Sequence, residues 1–198
     1  MRLLLRLLLG LAVICGLLWI VGPYEPADIS ARFDPATMDA DIDSHFAKVE
    51  AAYDDITPGT HKRVVWAAEK GAQTPLSIYY VHGFSATSEE IRPIPDRIAE
   101  ALGANLVYTR LRGHGRSSDA MAEATVAAWM NDVTEGLEAA KRAGERVIII
   151  STSTGGTLVH AAAVDSGLMQ DVAGLIFVSP NFGLNSPCLL YTSPSPRD

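Results

Sequence analysis

The chain has 198 residues, 48% of them hydrophobic and 20% charged, enough to bury the core of one ordinary domain. Its formal net charge of −7 argues against nucleic acid or anionic lipid as an electrostatic partner. No C-x-x-C or H-x-x-x-H spacing points to a metal, no cofactor is expected, and neither Cys15 nor Cys188 argues for a disulfide.

In chain order, the first element is an apolar run. From Leu3 to Val21 every residue except Arg6 is apolar or Gly, and Gly22-Pro23 ends it. About twenty such residues span a bilayer. Arg2 and Arg6 lie on the N-terminal side, which the positive-inside rule keeps in the cytoplasm while the body is exported. The rival is a cleaved signal peptide, although the exit Trp19-Ile20-Val21-Gly22-Pro23-Tyr24 offers no small-x-small site. Residues 1–22 are thus read as a membrane anchor with an extracytoplasmic body; secretion after signal cleavage is the alternative.

Residues 23–60 read as a linker with one short helix around Ile42 to Tyr53, where Ile42, Phe46, Val49 and Tyr53 share a face. Strands are predicted at 62–67 and 76–81, close enough to form a hairpin. A helix from about Ser88 to Leu102 takes Ser88 as N-cap and Glu89 and Glu90 in its first turn, with Pro93 and Pro95 delaying its regular start. A strand at 105–109, a long helix at 122–143, an apolar strand at 146–150, a small-residue helix at 155–164 and a strand at 174–179 follow. Strands alternating with helices, the 146–150 strand being almost continuously apolar after Arg146, predict an α/β sheet with crossover connections over residues 61–187.

The chemistry concentrates where the 146–150 strand meets the next helix, in Ser151-Thr152-Ser153-Thr154-Gly155. A serine hydroxyl is a poor nucleophile unless a tight turn exposes it and a base takes its proton. Such a turn needs small residues two before and two after the serine. Gly155 meets this, and Ser151 stands where glycine is usual. No lysine follows the glycines, which excludes a P-loop. Upstream, Val81-His82-Gly83-Phe84 ends an apolar strand. Acyl transfer needs backbone N–H groups aimed at an oxyanion, one from the earlier loop and one from the residue after the nucleophile. Phe84 and Thr154 hold those places, and His82 is read as ordering the loop rather than as the base.

With these motifs in hand, the chain from about Val64 to Phe182 resembles the α/β-hydrolase superfamily, nearest its lipase, esterase and lysophospholipase-like members. Three elements carry the likeness in order: His82-Gly83-Phe84, the loop Arg110-Leu111-Arg112-Gly113-His114-Gly115-Arg116-Ser117, and the turn around Ser153. The resemblance implies a mostly parallel sheet with helices on both faces and a serine hydrolase of carboxylic esters acting through an acyl-enzyme on Ser153. A lipid or other small-molecule ester would be the substrate, and His114 would be structural. A peptidase, a thioesterase or a non-catalytic binding or scaffold protein of the same fold are the alternatives.

The family places its acid and then its histidine after the nucleophile. Beyond Ser153 the sequence holds only Asp165, Asp171, Asp198 and His160, none positioned for a triad. The domain is therefore expected to be incomplete at its C-terminus and this chain inactive. Residues 188–198 read as a disordered Ser-Pro tail, and their codons permit a transposase-type sequencing adapter read in frame, so genuine sequence is expected to stop near Pro187.

Overall fold

The computed structural model describes residues 2–22 and 27–183. The exit tetrapeptide after Gly22 and the tail at 188–198 lie outside the described residues. The first helix, α1 (Arg2–Val21), has no acidic residue, and from Leu3 to Val21 nothing is buried; it is long and apolar enough to cross a membrane. The short helix α2 (Ile42–Glu50) begins on an Asp41 cap that accepts the Asp43 N–H.

Five strands form one sheet in the order β1 (Arg63–Val65), β3 (Asn105–Tyr108), β2 (Thr74–Val81), β4 (Gly144–Thr152) and β5 (Val172–Val178). Only β1 runs antiparallel; the other pairings are parallel. The expected hairpin between the first two strands is not there, because β3 lies between them. The reason is burial. From Ile78 to Val81 β2 is buried on both faces, which demands a neighbour on each side and helices above and below.

Alternation along the strands separates two apolar layers. Ile78, Tyr80, Leu106, Tyr108 and Ile150 face helix α3 (Ile94–Leu102). Tyr79, Val81, Val107, Val147 and Ile149 face α2, α4 (Val126–Ala143) and α5 (Ser153–Ala163). Helix α3 starts at Ile94 rather than near Ser88. Pro93 is its N-cap, and residues 84–93 form turns instead. Ser88 accordingly does not cap it; its buried hydroxyl accepts from Arg63 at 3.0 Å. Helix α4 starts at Val126, later than the predicted 122, because a 3-10 turn at Ser118–Glu123 precedes it and Thr125 caps it.

A buried ionic cluster joins the segment before the sheet to α4. Lys62 Nζ donates to Asp132 Oδ1 at 2.8 Å and to Glu135, and Glu135 also faces His45 Nε2 at 2.9 Å. Burial alone would pull the Lys62 ammonium down, but the two carboxylates outweigh it and hold its pKa above the usual lysine value. Arg110 chelates Glu50 through Nε and NH2, and the Arg112 N–H donates to Asp132. This cluster holds the loop after β3 in place beside the end of β2.

Candidate active site

Ser153 stands at the junction of β4 and α5 with φ at 49°, a left-handed conformation that costs energy for any residue but glycine. Strain of this kind at a strand-to-helix turn holds a side chain out from the carboxyl end of a parallel sheet. Ser153 is half-buried, and its hydroxyl has no hydrogen-bond partner among the described residues.

The small residues beside it have a steric cause. A Cβ on Gly155 would sit 2.6 Å from the Val81 carbonyl oxygen and closer still to that of His82. The turn is therefore pressed against the end of β2, and only glycine allows the approach. Ser151 is fully buried, and its hydroxyl reaches toward the Ile176 carbonyl at 3.5 Å. A hydroxymethyl group is accommodated where glycine was expected. After β5 the chain folds back over the turn: Asn181 N–H donates to the Ser153 carbonyl at 3.1 Å, and Thr157 Oγ1 donates to the Asn181 carbonyl at 2.6 Å.

His82 is fully buried at the end of β2. Its Nε2 lies 3.1 Å from the Leu111 N–H and must accept, so Nδ1 carries the proton and donates to the Gly83 carbonyl at 2.9 Å. Burial pushes its pKa down to about 3, partly opposed by the Gly83 carbonyl. The ring is thus a neutral strut. Gly83 C=O and Phe84 N–H belong to one trans peptide and point in opposite directions, so a bond to the carbonyl also aims the Phe84 N–H. Neither the Phe84 nor the Thr154 N–H meets an acceptor among the described residues, and Thr152 provides no side-chain cap for α5.

His114 packs with His82, Phe84 and Trp129, its ring 4.9 Å from that of His82 and 5.6 Å from that of Trp129. Its Nδ1 donates to the Arg112 carbonyl at 3.2 Å, and burial lowers its pKa. A cavity of about 320 Å³ opens between the two loops, lined by Phe84, Ser85, His114, Arg116, Ser118 and Met121. All five histidines lie within the described residues, and none bonds to Ser153. His160 is exposed on α5 beside Phe177 and Phe182. No three His, Cys, Asp or Glu side chains among the described residues converge in a way that could hold a metal ion.

Glu90 holds a place at this site that helix propensity does not reveal. Glu90, expected in a helical first turn, instead turns back onto the loop: its Oε2 accepts the Gly83 N–H at 2.8 Å and the Tyr80 hydroxyl at 2.9 Å. A side chain at Gly83 would meet Glu90 Oε1 at 2.9 Å and Ser153 Cβ at 3.1 Å. The only sequence cue was the helix-breaking Pro93, which releases the preceding residues from a helix.

Comparison with known proteins places this geometry in context. The family model Hydrolase_4, described as serine aminopeptidase, S33, matches residues 73–195. A thermostable monoacylglycerol lipase from Bacillus sp. (strain H-257) is 34% identical over 109 residues, 55% of this chain and 41% of the lipase. A structure from the work on LipS and LipT, two metagenome-derived lipolytic enzymes, superposes with a TM-score of 0.57 at 22% identity. That match covers 72% of this chain and 55% of the other. The chain thus spans about half the length of the relatives it matches, or less.

Proposed function

The chain belongs to the serine aminopeptidase S33 family (Hydrolase_4) of the α/β-hydrolases, and from that premise we propose that the complete protein hydrolyses carboxylic esters through an acyl-enzyme on Ser153. The observation that carries the proposal is the left-handed Ser153 at the end of β4, facing a loop whose Phe84 N–H is free to donate. Ser153 Oγ attacks the ester carbonyl carbon as a base takes its proton. The carbonyl π pair moves onto oxygen, where the Phe84 and Thr154 N–H groups receive it. Collapse breaks the bond to the alcohol, which leaves with the proton, and water then releases the acid and regenerates the serine. The lipolytic relatives favour an ester, including a lipid ester, as substrate. The family description favours a second reading, cleavage of an N-terminal peptide bond at the same serine.

The base is assigned to chain outside the 198 residues, because no histidine here bonds to Ser153 and His82 is committed to the loop. This chain alone is accordingly inactive. A fluorophosphonate probe should label the product of the whole reading frame at Ser153, with labelling lost in S153A. The 198-residue chain should stay unlabelled. Labelling that survives S153A would remove Ser153 from the mechanism, and strong labelling of the 198-residue chain would overturn its inactivity. Turnover of p-nitrophenyl acyl esters against aminoacyl p-nitroanilides separates the ester reading from the peptidase one. The body is proposed to sit on the extracytoplasmic side, tethered by α1.

A further inference from the structure

We infer that Glu90 is a positioning residue for the oxyanion loop, an inference that rests on Ser153 being the nucleophile. Two peptide groups meet at Gly83, and each is held by a different side chain. The carbonyl of the 83–84 peptide accepts from His82 Nδ1 at 2.9 Å, and the N–H of the 82–83 peptide donates to Glu90 Oε2 at 2.8 Å. With both planes held, the only soft torsions between the two anchors are those of Gly83 itself, so the direction of the Phe84 N–H is determined. His82 alone leaves the preceding peptide free to rotate and carry the carbonyl with it.

The same carboxylate oxygen also ties the loop to the nucleophile's strand. It accepts from Tyr80 OH at 2.9 Å, and that hydroxyl lies 3.1 Å from Thr152 Oγ1, one residue before Ser153. Since Tyr80 OH has one proton and gives it to the carboxylate, Thr152 supplies the proton in its own bond to Tyr80. Desolvation keeps the Tyr80 phenol protonated well above its usual range. The chain of contacts runs Gly83, Glu90, Tyr80, Thr152, and it joins the two segments that bear the proposed oxyanion donors. Hydrogen bonds to a charged acceptor are about twice as strong as neutral ones, which suits a strut that must not rotate during the reaction. Glu90 touches no reacting atom and acts through the loop.

The test uses the protein expressed from its whole reading frame, anchor included, in detergent. Glu90→Ala removes the acceptor, whereas Glu90→Gln keeps an oxygen that both Gly83 and Tyr80 can reach. An alkyl boronic acid, which forms a tetrahedral anion on a serine, reads the quality of the oxyanion site. We expect E90A to weaken boronate binding about tenfold, less than loss of a donor itself costs, and E90Q to stay within about threefold of the parent. Both variants should remain folded with a single cooperative melt, and amide exchange at Gly83 should quicken in E90A alone. Parental binding in E90A, or equal loss in E90A and E90Q, overturns the proposal. Boronate binding that survives Ser153→Ala removes the nucleophile instead; amide exchange then decides the strut by itself, and unchanged exchange at Gly83 in E90A overturns it.

Discussion

His82 shows how much one buried side chain can set at this site. Its protonation is dictated by the Leu111 N–H on one side and the Gly83 carbonyl on the other, and burial holds it neutral down to about pH 3. The unfolded chain binds that proton near pH 6.5. Between those values the unfolded state carries a proton that the folded state refuses, so stability is intact above about pH 6.5 and declines as pH falls toward 3. One such group contributes a slope of about 1.4 kcal/mol per pH unit. Denaturant unfolding of the whole-frame protein between pH 7 and pH 4 should show this slope, and H82N should flatten it. An unchanged slope in H82N would show that His82 takes up its proton equally in both states. The place of His82 at the end of an apolar strand was legible in the sequence. Its tautomer was not, because Leu111 is brought to it only by the fold.

Among the elements, α1 contrasts with α3 and β1. Helix α1 could be read directly, since an uninterrupted apolar run needs no partner to define it. It presents apolar side chains on every side, with Trp19, Ile20 and Val21 at 76–80% exposure, which suits lipid rather than water. Deleting residues 1–22 should move the protein from the carbonate-resistant membrane pellet to the supernatant. Recovery of the intact gene product in the supernatant with a shortened N-terminus would instead identify α1 as a signal sequence. Helix α3 and strand β1 were harder to read. Propensity alone carried the helix back to Ser88, but the turns at 84–93 turn Glu90 onto the loop. Strand β1 has only three residues, and nothing local marks β3 rather than β2 as its partner.

At the scale of the whole molecule, β1 and β5 are the two edges of the sheet among the described residues. Strand β1 makes one edge with only three residues, while β5 forms the longer opposite edge, with Ile176 45% and Val178 37% exposed and Phe182 56% exposed just after it. Ile176 pairs with Ile150 on the α3 face, where no helix among the described residues covers β5. An unpaired edge beside an apolar face templates association. The 198-residue chain without α1 should therefore elute from gel filtration as polydisperse aggregate and melt without a cooperative transition. A monodisperse, cooperatively melting product would show that the described sheet is self-sufficient.

What the sequence determined by itself was local: the apolar helix α1, the alternation of strands and helices, the tight turn at Ser153 with Gly155 behind it, and the His82-Gly83-Phe84 loop. Each depends on periodicity or on residues within a few positions of one another. The tertiary structure alone decided which strand lies beside which, and that Lys62 meets Asp132 and Glu135 some seventy positions away. These contacts form because β2 must be buried on both faces and buried charges must be paired. Both requirements are met between segments distant along the chain, where local patterning carries no information.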